Sequence, residues 1–216
     1  APKNNYPINR GFQDCYGTIY GVVDYFDPFS LIYGDQPVDT VPKDYYSTIA
    51  LRDTAVSFVN KYAQSDKPFF MYLAFHSPHW PLHALPQYKD TYKCGWEKIR
   101  EERYNRQKRM KLFGDIDNFL SPRQFEDSWE DNPDKEWDVR AMAVHAAMVD
   151  RMDQSIGLLL KALEKNGQID NTLILFMSDN GCSNEICQLY SEGENDRPAE
   201  TRDGRKIIYP KKKEIL

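Results

Sequence analysis

No stretch of the 216 residues approaches the roughly 18–20 consecutive apolar side chains that a membrane-spanning helix needs. Basic charge is not in excess either: 28 Lys and Arg against 33 Asp and Glu leave a net charge of −5, which argues against a general nucleic-acid or anionic-membrane surface. Cysteine is sparse, at positions 15, 94, 182 and 187, with no C-x-x-C pair and no zinc-ligand spacing. An even count is compatible with disulfides and leaves the redox compartment open. Ala1-Pro2-Lys3 carries no signal-peptide pattern, which says nothing of a leader removed earlier. No internal repeat or low-complexity tract is evident. What is present is a globular composition, 41% apolar and 13% aromatic, long enough for one sizeable domain with a core and too short for two large ones.

One supersecondary pattern occurs twice. Between Tyr45 and Gln64, Tyr46, Ile49, Val56, Val59 and Ala63 recur at helical spacing, and Ser65-Asp66-Lys67-Pro68 ends the helix. The run Phe69-Phe70-Met71-Tyr72-Leu73-Ala74-Phe75 follows, continuously apolar, as expected of a strand covered on both faces. It stops at His76-Ser77-Pro78-His79-Trp80-Pro81-Leu82-His83. Further on, Met142, His145, Val149, Met152, Ile156, Leu159, Leu160 and Leu163 mark the core stripe of a long helix that ends at Asn166-Gly167. The second strand, Thr172–Met177, then stops at Ser178-Asp179-Asn180-Gly181. The stretch between the two units, about residues 88–138, is polar and reads as surface helices and loop.

Buried strands alternating with helices imply an α/β domain with a mostly parallel sheet, and such sheets bind ligands beyond the carboxyl ends of their strands. Both polar loops fall there, so both are expected to face one site. Asp179 and Asn180 offer hard oxygens suited to Ca²⁺ or Mg²⁺, although Asp-Asn-Gly is also ordinary chemistry for a strand-end turn. In the histidine loop Pro78 and Pro81 forbid a regular helix, so His76, His79 and His83 do not form a helical metal face. A proline-braced loop could instead hold an imidazole for anion binding or proton transfer; a satisfied scaffold histidine is the alternative for each. His145 lies on the apolar stripe and is expected to pack in the core.

Three segments carry a resemblance. P-F-F-M-Y-L-A-F-H-S-P-H-W-P-L-H-A-L-P, with Y-K-D-T-Y-K-C-G-W-E-K-I-R-E-E-R after it, resembles the type I sulfatases (arylsulfatases), as do M-V-D-R-M-D-Q-S-I-G-L-L-L-K-A-L-E-K-N-G-Q-I-D-N-T-L-I-L-F-M-S-D-N-G and the opening P-I-N-R-G-F-Q-D-C-Y-G. The resemblance covers most of the chain in the family's order. It implies the alkaline-phosphatase-like α/β fold, a three-layer sandwich that would be incomplete here, with residues 1–216 as a partial catalytic domain. It implies hydrolysis of aryl or carbohydrate sulfate by a formylglycine nucleophile on calcium, in a periplasmic or secreted protein. By the same resemblance Asp179 and Asn180 match a downstream pair of calcium ligands, and His79 matches the histidine that contacts sulfate and assists the departing alcohol. His76 and His83 match no such role.

The sequence also departs from the family. No cysteine or serine begins the C/S-x-P-S/A-R motif from which formylglycine is made, and the upstream Asp-Asp ligands, the Lys-x-His pair and a downstream lysine are absent. The residues therefore read as the middle of a sulfatase: inactive alone, a poor binder of Ca²⁺, and left with a sheet edge and apolar surface uncovered. A phosphate or phosphonate monoester hydrolase of the same wider fold is one alternative, and a non-catalytic binding module on the same scaffold is another.

Overall fold

The computed structural model describes residues 2–86, 92–114, 128–181 and 198–209. Two helices form its frame. Helix α1, Ser47–Tyr62, starts where the backbone N–H of Ser47 donates to the Tyr25 carbonyl at 2.8 Å, and it buries Leu51, Ala55 and Val59 at four-residue intervals. That interval puts the three on one face, which is the face turned to the second long helix. This helix, Lys135–Lys165, carries Glu136 and Asp138 in its first turn, where the helix dipole favours negative charge.

Its far end is closed by the glycine the sequence suggested. Gly167 has φ +65°, its N–H donates to the Glu164 carbonyl at 2.9 Å, and the Gln168 N–H donates to Leu163 at 2.9 Å. These paired bonds satisfy two carbonyls of the last turn and need the left-handed conformation at Gly167. Beside this cap the Asn166 side chain donates to Asn60 Oδ1 and to the Ala162 carbonyl, both at 2.8 Å, so that the ends of the two long helices are tied.

Two apolar clusters lie along the seam. One joins Val59 to Ala162 and Leu163, with Val56, Phe69, Met71 and Leu159 packed against them. The other joins Tyr25 and Tyr46 to Val144 and Met148, with Phe26, Ile49, Leu82 and Leu85 around it. The second cluster forms the floor of the histidine loop. Between the long helices in the chain comes α2, Trp96–Arg109, which buries none of its residues; the long helix is therefore α3. At the start of α2, Gly95 has φ +83° and lies against the Trp129 indole, where a Cβ would overlap at 2.3 Å.

A small antiparallel sheet, not foreseen from the sequence, precedes the helices. It comprises β1, Tyr16–Thr18, β2, Leu31–Tyr33, and β3, Gln36–Pro37, with Tyr16 opposite Tyr33 and Ile32 opposite Pro37. The turn between β2 and β3 runs through Gly34 at φ +64°.

Three expectations are corrected. Residues 69–75 and 172–177 are not strands buried on both faces; they have no strand partners among the described residues. In the first segment Phe69 and Met71 rest on the helices while Phe70 (78% exposed) and Tyr72 face outward. In the second, Leu173 (86%) and Phe176 (76%) are exposed. A strand is buried on both faces only when a layer covers each face and a neighbour occupies each edge, and here α1 and α3 supply one layer. The stripe of α3 is also displaced: Ala143, Val144, Met148, Ser155, Ala162 and Leu163 are buried, whereas Val149 is 38% exposed. With the stripe turned, His145 is exposed instead of packed in the core.

Candidate functional site

The loop from His76 to His83 is held from three sides. The His79 N–H donates to the His76 carbonyl at 2.7 Å, closing a turn, and the Ser77–Pro78 and Trp80–Pro81 peptide bonds are cis. From below, the Tyr25 hydroxyl lies 2.8 Å from the His76 carbonyl and 2.9 Å from that of His79, and the Tyr46 hydroxyl donates to His83 at 2.9 Å. From α1, Ser47 Oγ lies 2.7 Å from His76 Nε2. From α3, the Met148 carbonyl accepts from Ser77 Oγ at 3.0 Å.

The three histidines consequently differ in character. His76 is enclosed, its ring edge-on to Tyr25 at 4.7 Å; burial, with His79 nearby, lowers its pKa to about 4, so it is neutral at physiological pH. His83 is buried between two oxygens: Nε2 donates to the Ile208 carbonyl at 2.5 Å, and Nδ1 lies 3.1 Å from Asp24 Oδ2. Burial alone would raise the Asp24 pKa; the His83 hydrogen bond and charge, with N–H groups of Phe26 and Asp27, hold it below the usual carboxylate value. His79 alone is exposed. Its Nδ1–H donates to the Trp80 carbonyl at 2.5 Å, and Nε2 makes no hydrogen bond among the described residues.

The segment 198–209 docks beside this loop. Tyr209 meets Trp80 with ring centroids 5.4 Å apart, and Arg202 bonds both oxygens of buried Asp27, through its backbone N–H at 2.6 Å and Nε at 2.8 Å. Bidentate pairing of this kind fixes orientation as well as charge.

Asp179 and Asn180 lie at the end of the exposed segment 172–177, and both are exposed. Ser178 Oγ donates to the Asn180 carbonyl at 2.6 Å, and Asn180 Nδ2 donates to that of Gly181 at 2.7 Å. This leaves Asn180 Oδ1 and the Asp179 carboxylate, which makes no hydrogen bond among the described residues, as acceptors. No cluster of three or more His, Cys, Asp or Glu side chains able to hold a metal occurs among the described residues. No hydrogen bond or ion pair joins the Asp-Asn pair to the histidine loop among them.

A family model described as "Sulfatase" matches residues 2–204. The chain belongs to the sulfatase family. Its fold class is therefore α/β, alkaline-phosphatase-like. An uncharacterised sulfatase of Schizosaccharomyces pombe is 29% identical over 210 residues, covering 86% of this chain and 37% of that protein. An arylsulfatase of Klebsiella aerogenes is 30% identical over 193 residues, 82% of this chain and 41% of its own. Human N-sulphoglucosamine sulphohydrolase is 34% identical over 125 residues, 55% of this chain and 22% of its own. The sulfatase chain thus spans about 40% of the length of the first two relatives.

Set against the sequence reading, His79 occupies an exposed and braced position, and Asp179 and Asn180 present free oxygens. His76 and His83 are structural. What the sequence did not disclose is the bracing of this sulfatase loop by Asp24, Tyr25, Tyr46 and Ser47, because the partners lie 29 to 59 residues away. Cys15 and Cys94 are free thiols, that of Cys15 with its pKa raised by burial; Cys182 and Cys187 lie outside the described residues. No helix among the described residues is long and apolar enough to cross a membrane.

Proposed function

We propose that the protein hydrolyses sulfate monoesters of carbohydrates or aryl alcohols, R–O–SO₃⁻ + H₂O → R–OH + HSO₄⁻, with His79 on the leaving-group side. The observation that carries this is the contrast among the three histidines: two are fixed in the scaffold, and the third presents an unoccupied Nε2 from a braced turn. Because Nδ1–H is committed to the Trp80 carbonyl, the ring orientation is set and Nε2 is the nitrogen that can deliver a proton. Membership in the sulfatase family and the names of the arylsulfatase and sulphohydrolase relatives support the substrate class.

The donor chemistry of Asp179 and Asn180 fits a calcium ion in kind, since a carboxylate and an amide carbonyl are hard oxygens, but two residues fall short of the usual 6–8 oxygens. They would hold one side of the ion. A bound calcium would stabilise negative charge on the sulfate. The nucleophile, a formylglycine by family resemblance, would come from a motif outside these residues. By the same resemblance the protein works in the periplasm or outside the cell.

Sulfate and phosphate monoesters share a shape and differ in charge, so comparing p-nitrophenyl sulfate with p-nitrophenyl phosphate tests the reading. The complete protein is expected to turn over the sulfate with the higher kcat/KM. Turnover confined to the phosphate would replace the proposal with a phosphomonoesterase.

A further inference from the structure

The strongest feature that the reaction scheme leaves unused is the Tyr25 hydroxyl. Tyr25 is 0% exposed, held between Tyr46, stacked at 5.8 Å, and the edges of His76 and His83 at 4.7 and 6.1 Å. A buried phenol needs a hydrogen-bond partner, since burial takes its O–H away from water without replacing that bond. Here its single proton is shared between two carbonyls, those of His76 and His79, the first and last residues of the turn closed by the His79 N–H. Burial raises the pKa of this phenol, so it stays a donor throughout the working pH range.

Other ties to the loop act elsewhere. Ser77 reaches Met148, Tyr46 reaches the His83 carbonyl, and Ser47 reaches the His76 ring. Among the described residues the Tyr25 hydroxyl is the one side-chain group that bonds the main chain of His79. It sits on the carbonyl side of His79, next to the Trp80 peptide whose own carbonyl receives His79 Nδ1–H. A shift of the His79 carbonyl therefore moves both the backbone that bears the ring and the acceptor that orients it. Small displacements of a proton donor are costly, because proton transfer requires hydrogen-bond reach of about 2.6–3.2 Å.

We infer that Tyr25 is a positioning residue for His79: its hydroxyl clamps the His76–His79 turn so that His79 Nε2 is aimed at the ester oxygen. The inference rests on the leaving-group role proposed for His79. In that step the Nε2 proton passes to the ester oxygen as the nucleophile bonds to sulfur and the S–O bond breaks, the bonding pair stays on that oxygen, and His79 regains its proton from solvent.

The test compares substrates that do and do not need this proton. An unactivated carbohydrate sulfate must have its departing alkoxide protonated, whereas p-nitrophenolate leaves without help. In the complete protein, Tyr25→Phe is expected to lower kcat on the carbohydrate sulfate at least about tenfold more than on p-nitrophenyl sulfate, with KM nearly unchanged. His79→Ala should show the same pattern more strongly, and adding Tyr25→Phe to His79→Ala should cost little more. Tyr46→Phe, which releases a different carbonyl of the loop, should lower the melting temperature without the substrate pattern. If Tyr25→Phe slows both substrates equally while His79→Ala keeps its preference, the inference falls and the role of His79 stands. If His79→Ala shows no preference either, that role falls and the inference with it. Should Tyr25→Phe fail to fold, the wild-type protein still decides: a slowly exchanging Tyr25 hydroxyl proton with NMR contacts to residues 76–79 is expected, and a freely exchanging one overturns the clamp.

Discussion

At the scale of single residues, the histidine loop shows how environment divides one side-chain type into separate tasks. His76 is enclosed beside Ser47 and Tyr25, and its pKa falls to about 4 from an ordinary 6.5. A folded-state pKa below the unfolded value means that the fold favours the neutral ring. Its contribution is complete above about pH 6.5 and is lost as pH falls from there toward 4, with an upper size of ~3 kcal/mol at 1.36 kcal/mol per unit. Unfolding free energies measured across that window should fall less steeply in His76→Gln than in the wild type; parallel curves would mean that His76 protonates freely in the fold. Asp24 and His83 add a second buried polar contact at 3.1 Å, joined through Ile208 to the segment 198–209. Together these residues brace the loop, and His79 is its one exposed histidine.

At the scale of elements, α1 and α3 carry the stability and their packing decides which residues matter. Met148 is 0% exposed in the cluster beneath the loop, whereas Val149 is 38% exposed. Met148→Ala should therefore destabilise the protein by ~2–4 kcal/mol, through lost apolar burial and a cavity, and Val149→Ala by less than ~1 kcal/mol. Denaturant melts of the two variants distinguish this packing from the stripe read in the sequence, which included Val149 and omitted Met148. The existence and C-terminal ends of both helices were legible: apolar spacing marked them, and Pro68 and Gly167 punctuated them. The rotation of α3 was not, because Ala143, Val144, Met142 and Met148 are all apolar and only the partner face selects among them. The strands at 69–75 and 172–177 were misread in burial for a related reason. Their composition reports the two-sided cover a sheet would give, while the described residues place α1 and α3 on one side of the first and leave the second exposed. His145 followed the misplaced stripe. His79, Asp179 and Asn180 stood out as candidates from short motifs; the groups that brace the loop did not, because each reaches it from a distant part of the chain.

At the scale of the whole molecule, the chain covers about 40% of the length of its fungal and bacterial relatives, and the candidate site is correspondingly partial. Asp179 and Asn180, proposed above as calcium ligands, supply two residues where a calcium site usually gathers 6–8 oxygens. Calorimetric titration of the 216-residue chain should give calcium affinity weaker than about 100 µM, the range of poorly supplied calcium sites; micromolar binding would show a fuller ligand set than these residues display. The exposed apolar rows around Phe70 and Leu173 leave one side of the described layer uncovered. The most direct test of the role of His79 is kcat on an unactivated carbohydrate sulfate for the complete protein carrying His79→Ala, set against Asn171→Ala at an exposed position outside the loop. A loss of about 100-fold or more in the first variant, with little change in the second, is the predicted result; equal effects would contradict the role of His79 in sulfate ester cleavage.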